Sequence, residues 1–337
     1  MKKITTILLL LTLAFGVMAF AACGDKPTES GSVSTGALGD GADTDEDIDV
    51  PASAENDPDA ADVKYFKFEL YGNSMSKGYM ITGWSDVTDG RPTEIIFPTA
   101  YNKLPVVGIA QGAFRNDKTI TKITLGDSFR LIKKRAFCGC ENIESVNLSA
   151  KITKIAASAF RDCKKLTSVA VPEKITRLYG STFSGCESLV SVTLPEKLVY
   201  LGVKVFEGCK ALKSVEIPKS VTEIGTACFM NSGIEKISLS LTDNDKRSLS
   251  LTGIKAIPVD CFSGCENLTS VAASEVTKVG LGAFYGCGKL KSVTVSSNCE
   301  FGMLSLTFKG CPEDVKVNNK PLSDIEIITP PSEDTGA

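Results

Sequence analysis

The chain contains no histidine among its 337 residues and only one tryptophan. Histidine is the usual general base near neutral pH and the commonest side-chain ligand of metal ions. Its absence excludes Ser-His and Cys-His catalytic pairs and the zinc sites built on HExxH. No convergent pair of carboxylates emerges either. The sequence therefore predicts a protein that is not an enzyme, with no catalytic residues, cofactor or metal.

Charge is distributed unevenly along the chain, although the net charge is only −3. Residues 24–62 contain 12 acidic residues and one basic residue, whereas residues 63–323 contain 34 basic and 24 acidic residues, a net charge of +10. The acidic stretch has no aromatic residues, so it cannot bury enough apolar surface to offset its conformational entropy. Its aspartates also lack the glycine and glutamate of an EF-hand loop. We expect residues 23–62 to form a disordered acidic tether.

The chain begins with Met1-Lys2-Lys3, an apolar run over residues 4–22 and then Cys23, the pattern of a secretory signal. The sequence Phe-Ala-Ala-Cys-Gly around Cys23 resembles a bacterial lipobox, in which the peptidase cuts before the cysteine and a diacylglyceryl group is attached to its sulfur. This resemblance implies a lipoprotein signal peptide at residues 1–22 and lipid attachment at Cys23. The protein is then expected at the bacterial cell surface, extracytoplasmic and bound to the membrane through its lipid anchor. An uncleaved anchor and an ordinary signal peptide are the alternatives.

A phenylalanine recurs every 23 residues from Phe114 to Phe229, and then after steps of 33, 22 and 24 residues. A fixed period of this length is typical of a solenoid. The series is Phe114, Phe137, Phe160, Phe183, Phe206, Phe229, Phe262, Phe284 and Phe308.

Each unit has two halves with different periodicities. Apolar residues at positions −5, −1, 0 and +3 relative to the phenylalanine have helical spacing but span only a turn or two, whereas those at +9 and +11 alternate as in a strand. Each 23-residue coil is thus predicted to be a short helical turn followed by a short strand. Stacked coils would place these strands in a parallel sheet on one face.

The repeated phrase Leu-x-x-Val-x-Val-Pro, closed by Ala/Thr-Phe-x-Gly-Cys, covers residues 78–317. It resembles the leucine-rich repeats of the BspA-like, or Treponema-type, bacterial surface proteins. The resemblance implies a leucine-rich-repeat solenoid in a surface or secreted protein, and some members are implicated in adhesion to host matrix proteins or other bacteria. Adhesion is therefore one expectation. The alternative is an envelope structural or accessory protein that binds a bacterial cell-wall component.

The boundaries of the cap, the repeat array and the C-terminal tail are placed where the sequence departs from the repeat. Residues 63–108 alternate as strands without the repeated phrase and are predicted to form an N-terminal β cap and a divergent first coil, with Trp84 in the core of the cap. Residues 109–323 form the repeat array, which carries an insertion near residues 240–250 that should bulge from one edge as a loop. Residues 324–337 should form a flexible tail.

Seven cysteines stand three residues after a repeated phenylalanine, and Ser232 occupies the same position in one coil. Successive coils bring such cysteines close enough in principle for disulfides, but the side chains of a ladder point the same way. A buried column of free thiols and a set of disulfides are both open at this stage. The cysteines are Cys140, Cys163, Cys186, Cys209, Cys265, Cys287 and Cys311.

The candidate ligand-binding residues lie on the strands and point away from the core. Position +8 is a serine in most coils and is interrupted by Lys122 and, in a coil shifted by one residue, by Lys236. Position +10 is mostly small or polar. A flat face of this kind suits an extended protein or glycan from a host matrix or a bacterial envelope, although a solvated face would also favour Ser and Thr. The residues are Ser145, Ser168, Ser191, Ser214, Ser270, Ser292, Thr124, Asn147, Thr193, Glu216 and Thr294.

Basic residues gather in the turns, as in Lys133-Lys134-Arg135. They could meet acidic partners such as sulfated glycans, or they could simply form a solvated edge. Nucleic acid is not an expected partner, because the charges lack interleaved aromatic residues and the chain carries an export signal. The sequence gives no indication of oligomeric state.

Overall fold

The structure is a computed structural model that describes residues 63–73, 77–239, 249–250 and 253–325. All of them belong to one compact unit. The predicted signal peptide, Cys23, the acidic tether and residues 326–337 of the tail lie outside the described residues, so those predictions stay as predictions.

The described residues form 24 short strands, one α-helix and two 3₁₀ turns. The α-helix, α1, is Leu304–Thr307, and the 3₁₀ turns are Val63–Tyr65 and Leu322–Asp324. The strands are β1 (Phe66–Gly72), β2 (Lys77–Trp84), β3 (Glu94–Ile96), β4 (Ala100–Tyr101), β5 (Leu104–Ile109), β6 (Lys122–Leu125), β7 (Leu131–Ile132), β8 (Ser145–Leu148), β9 (Lys154–Ile155), β10 (Ser168–Ala170), β11 (Arg177–Leu178), β12 (Ser191–Thr193), β13 (Tyr200–Leu201), β14 (Ser214–Ile217), β15 (Glu223–Ile224), β16 (Lys236–Leu239), β17 (Leu249–Ser250), β18 (Ala256–Ile257), β19 (Ser270–Ala273), β20 (Lys278–Val279), β21 (Ser292–Val295), β22 (Glu300–Phe301), β23 (Lys316–Val317) and β24 (Lys320–Pro321).

The longer repeat strands stack in parallel, one from each coil, as the sequence predicts for a leucine-rich-repeat solenoid. They run in the orders β3-β6-β8-β10-β12, β14-β16 and β17-β19-β21-β23, and β24 closes the last group as an antiparallel edge. Partners share the same repeat position, as Ser168 and Ser191 do. The 23-residue period keeps β6, β8, β10 and β12 in register, and the predicted fold is confirmed.

A second ladder of two-residue strands runs along another side of the coils. It joins β5-β7-β9, β11-β13-β15 and β18-β20-β22 in parallel. Its strands lie at positions −6 and −5, as Arg177–Leu178 does before Phe183. This ladder was not predicted, because two residues are too few to show an alternation.

The segment around each phenylalanine is a run of tight turns, where the sequence predicted a short helical turn. In the coil of Phe160, Ser158 and Asp162 adopt left-handed backbone conformations, each with φ of 59°. These conformations direct alternate N–H groups toward the next coil, where Phe160 N donates to Thr182 O at 3.0 Å. A third ladder between coils thus replaces intrahelical hydrogen bonds, and α1 is the only α-helix in the described ranges.

The core is built around a column of stacked phenyl rings. Successive repeat phenylalanines from Phe114 to Phe308 have ring centroids 5.4 to 6.0 Å apart. Full burial of one such ring stabilises the fold by roughly 1.5–3 kcal/mol. The repeated aromatic and aliphatic residues are therefore frame residues, as the sequence indicates.

The cap is joined to the array through Trp84. Its ring stacks on Phe66 at 5.4 Å and meets Phe114 edge-on at 5.3 Å. Its Nε1–H donates to Asp117 Oδ2 at 2.6 Å, and Asp117 stands where later coils have the cysteine. Trp84 is thus half-buried and packs where the cap meets the array, and not in the core of the cap.

The longer unit between Phe229 and Phe262 adds a strand to the sheet. The two rings still stack at 5.6 Å, as in the other coils. On the sheet side, however, both β16 and β17 lie between β14 and β19, and β17 pairs with β19. The end of the predicted loop is therefore a strand, while residues 240–248 lie outside the described residues.

No helix in the described ranges has the length and apolar character needed to cross a bilayer.

Candidate ligand-binding face

The structure brings the predicted serines together in three groups on the outer side of the sheet, which we call the sheet face. The first group places Ser145, Ser168 and Ser191 in register on neighbouring strands. Ser214 pairs with Lys236 in the second group, and Ser270 pairs with Ser292 in the third. The groups correspond to the three hydrogen-bonded segments of the sheet.

A second column runs beside the serines, two residues further along each strand. Its register partners are Thr124 with Asn147, Ala170 with Thr193, Glu216 with Ser238, and Ala272 with Thr294. The two columns together present hydroxyl, amide and carboxylate groups from successive coils about 4.8 Å apart.

The side chains of the two columns point outward because exposed and buried residues alternate along each strand. In β10, Ser168 and Ala170 are exposed and Val169 between them is only 4% exposed. Exposed predicted residues are Asn147, Ser168, Ser191, Thr193, Ser214, Glu216 and Thr294. The partly exposed ones are Thr124, Ser145, Ser270 and Ser292.

Sequence reasoning missed the N-terminal edge of this face. Strand β3 places Glu94 beside Lys122 and Ile96 beside Thr124. The Oε2 atom of Glu94 lies 3.8 Å from Nζ of Lys122. Ile96 is 63% exposed, which gives the polar face one apolar residue at its end. The sequence Glu94-Ile95-Ile96 does not alternate in polarity, so it gives no signal that Ile96 points outward.

One rim of the face carries a column of alternating charges at position +4. Glu141 Oε1 lies 3.1 Å from both Lys118 Nζ and Lys164 Nζ, and Glu187 Oε2 lies 3.1 Å from Lys210 Nζ. Hydrogen bonds from Lys118 and Lys164 lower the pKa of Glu141. This rim is charged but internally compensated, so it contributes little net field to the face.

The seven repeated cysteines lie behind the face, in the turns, and none of them is in a disulfide. Burial raises the pKa of Cys140 to about 12 and that of Cys265 to about 11. A thiol that stays protonated is a poor nucleophile and a poor metal ligand. Within the described ranges no group of three His, Cys, Asp or Glu residues is placed to hold a metal ion.

The chemistry available on the sheet face is hydrogen bonding. Serine and threonine hydroxyls both donate and accept, and Asn147 adds an amide. The short side chains leave the surface flat enough for an extended chain to lie across several strands. The face can thus offer hydrogen bonds from several coils at once.

The fold and this face define a leucine-rich-repeat solenoid. The family model described as the BspA-type leucine-rich repeat region matches residues 107–235 and 182–313, with six copies. The chain therefore belongs to the BspA-type leucine-rich-repeat family. Repeats of this kind are binding scaffolds, so the chain is a protein-binding repeat protein.

Solved structures with related repeats come from several bacteria. The leucine-rich-repeat protein of Treponema pallidum is 26% identical over 68% of this chain and 89% of its own, with a TM-score of 0.45. A leucine-rich cell surface protein from Faecalibacterium prausnitzii is 20% identical over 80% and 94% of the two chains, with a TM-score of 0.39. The pneumococcal vaccine antigen PcpA is 16% identical over 75% and 79%, with a TM-score of 0.47. No curated protein matches the chain.

Proposed function

We propose that the protein is a lipid-anchored extracytoplasmic binding protein whose sheet face holds a protein or glycan in adhesion. The observation that carries this proposal is the alignment of Ser168, Ser191 and Thr193 on an exposed, flat surface. The repeated apolar residues are used inside the frame, so the outward positions are the ones free to meet a ligand.

The lipid anchor is proposed from the sequence around Cys23. The apolar run before it and the lipobox resemblance support processing as a lipoprotein. Membership in the BspA-type family agrees with a place at the cell surface. The tether of residues 23–62 would then hold the repeat array away from the membrane, since like charges extend a chain.

Radiolabelled palmitate tests the anchor in cells that process bacterial lipoproteins. We expect the wild-type protein to incorporate the label and Cys23→Ser to incorporate none. Absence of label from the wild type, or equal labelling of the variant, would contradict the anchor.

The partner class is tested by immobilising the full-length protein in a mild non-ionic detergent. One column receives solubilised extracellular-matrix proteins and a matched column receives bacterial cell-wall fragments. Retention of matrix proteins alone supports adhesion. Retention of cell-wall fragments alone rejects adhesion and supports the role of an envelope accessory protein.

A further inference from the structure

A second surface, distinct from the sheet face, carries basic residues without acidic ones. It consists of residues 128–135, 151–158, 174–181 and 197–204, the positions from −9 to −2 of four successive coils, and we call it the basic face. These 32 positions contain ten basic residues and no acidic residue. Asp127, Glu173 and Glu196 stand just outside its edge.

The same positions of the later coils are mixed in charge. Residues 220–227 contain Glu223, residues 253–260 contain Lys255 and Asp260, and residues 275–282 contain Glu275 and Lys278. Lys255 Nζ and Glu275 Oε2 form an ion pair at 2.8 Å. The concentration of positive charge is therefore a property of four coils and not of the repeat itself.

The four segments lie side by side in the fold. Thr153 N donates to Arg130 O at 2.8 Å, Ser158 N to Gly180 O at 3.0 Å, and Val199 N to Thr176 O at 2.8 Å. The second ladder also pairs Arg177 with Tyr200. The ten basic residues thus share one continuous surface.

A row of lysines runs along one edge of this surface, next to Glu173 and Glu196. Lys151, Lys174 and Lys197 occupy position −9 of consecutive coils, and all three are exposed. Among the described residues, none of these three lies in an ion pair. Their repeat places cations at intervals of about 4.8 Å along the axis of stacking.

Tyrosines hold other cations of the face in place. Lys154 Nζ lies 5.9 Å from the ring centre of Tyr179, and the guanidinium of Arg177 lies 4.2 Å from that of Tyr200. Such contacts are attractive and reduce the motion of the charged group. Less conformational entropy is then lost when a ligand binds.

We propose that the basic face binds a linear sulfated polysaccharide that runs along the row of Lys151, Lys174 and Lys197. A regular row of cations matches a polymer whose anionic groups recur along one line. The summed field of the basic residues, of which Lys204 is paired with Glu207 at 3.1 Å, draws such a polymer to the surface. The inference is independent of the sheet face and goes beyond the adhesion proposed for it.

The test is calorimetric titration of the full-length protein, in non-ionic detergent, with a heparin-derived dodecasaccharide. At about 0.15 M salt, where the Debye length is about 8 Å, contacts on the surface still contribute. We expect Lys151→Glu, Lys174→Glu and Lys197→Glu combined to weaken binding more than about tenfold.

A matched variant controls for net charge. Lys289→Glu, Lys291→Glu and Lys309→Glu combined change the charge of the protein equally, and all three lysines are exposed and far from the basic face in the repeat order. We expect this variant to weaken binding less than about threefold. Circular dichroism confirms that both variants fold.

Two further probes distinguish the polysaccharide from other polyanions. A soluble polyphosphate chain and a short DNA duplex, tested separately, should each bind at least about tenfold more weakly than the dodecasaccharide. Lack of dodecasaccharide binding by the wild type, equal losses in the two triple variants, or equal binding of polyphosphate or DNA would overturn the proposal. None of these results bears on the sheet face.

Discussion

The sulfur of Cys186 lies 3.2 Å from the main-chain oxygen of Phe160, one coil earlier, and donates its S–H to it. The same relation links a cysteine to the phenylalanine of the preceding coil in six other places. These pairs are Cys140 with Phe114, Cys163 with Phe137, Cys209 with Phe183, Cys265 with Phe229, Cys287 with Phe262, and Cys311 with Phe284. The cysteine column is thus a set of buried donors that join successive coils.

Removing one donor should weaken the array. Cys186→Ala loses the hydrogen bond, worth about 1 kcal/mol, and leaves a cavity, so we expect it to lower the free energy of unfolding by about 1–3 kcal/mol. Cys186→Ser keeps a donor toward Phe160, and a serine, Ser232, already fills this position in another coil. Urea unfolding should therefore give a higher free energy of unfolding for Cys186→Ser than for Cys186→Ala. An Ala variant as stable as the Ser variant would contradict the role of the donor.

The native thiols should resist alkylation. Burial raises the pKa of Cys140 to about 12, and that of Cys163 well above its usual value, so almost no thiolate is present at pH 8. Iodoacetamide followed by mass spectrometry should leave Cys163, Cys186 and Cys209 unmodified in the native protein. The same residues should react fully in guanidinium chloride. Rapid native labelling at these positions would show that the column is open to solvent.

Glycine at position +2 is required where the preceding coil carries a side chain. Gly139 has φ of 77°, and a Cβ there would collide with Asn116 Oδ1. Gly208 is also left-handed, with φ of 70°, but a Cβ there would lie 3.8 Å from the Cα and N of Gly185, an ordinary van der Waals contact. We expect Gly208→Ala to lower the free energy of unfolding by about 1–2 kcal/mol through backbone strain alone. Gly139→Ala should cost more than Gly208→Ala.

Two further variants separate the contributions to that difference. Gly288→Ala meets no atom within 4 Å and should change stability by less than about 0.5 kcal/mol. Asn116→Gly should restore part of the stability lost in Gly139→Ala, since it removes the colliding oxygen. Equal losses in Gly139→Ala and Gly208→Ala would rule out the collision.

The attachment of the cap should depend on pH through Asp117. Burial raises the pKa of this carboxyl, but hydrogen bonds from Trp84, Ile120 and Thr119 together outweigh it, and the net pKa is lowered. A lowered folded pKa means that the stabilisation is present above the unfolded pKa of about 3.9 and is lost as the pH falls through the folded value.

Trp84 is the only tryptophan, so its fluorescence reports on the cap. At pH 7, Asp117→Asn should shift the urea midpoint down, because a hydrogen bond to a charged group is worth about 1.5–3 kcal/mol. The difference between wild type and variant should shrink as the pH is lowered toward 3. A difference that does not depend on pH would show that the charge of Asp117 is not involved.

The sequence was most informative where one physical requirement recurs in every coil. Phe160, Cys163 and Val169 each stand at a position where every coil needs a similar side chain in the core. The period alone therefore locates the core and the strands. Ser158 shows the limit, because nothing in its side chain indicates the left-handed backbone that turns helical spacing into a third ladder.

The candidate face could be predicted in part for a related reason. The alternation around Val169 places Ser168 on the outer side of the sheet, and this holds for any ligand. Ile96 was missed because a terminal coil has no repeat phrase to align it. The basic face could not be located from the turn clusters alone, since Lys151, Lys174 and Lys197 become neighbours only when the coils stack.

The central claim is that the sheet face holds the ligand. Its most direct test is the binding of full-length protein to immobilised extracellular-matrix proteins, comparing wild type with Ser168→Tyr, Ser191→Tyr and Thr193→Tyr combined. The control combines Thr226→Tyr, Ser274→Tyr and Ser297→Tyr, three exposed residues away from the face. We predict a loss of affinity of more than about tenfold for the first variant and less than about threefold for the control. Wild-type affinity in the first variant, or equal losses in both, would contradict the claim.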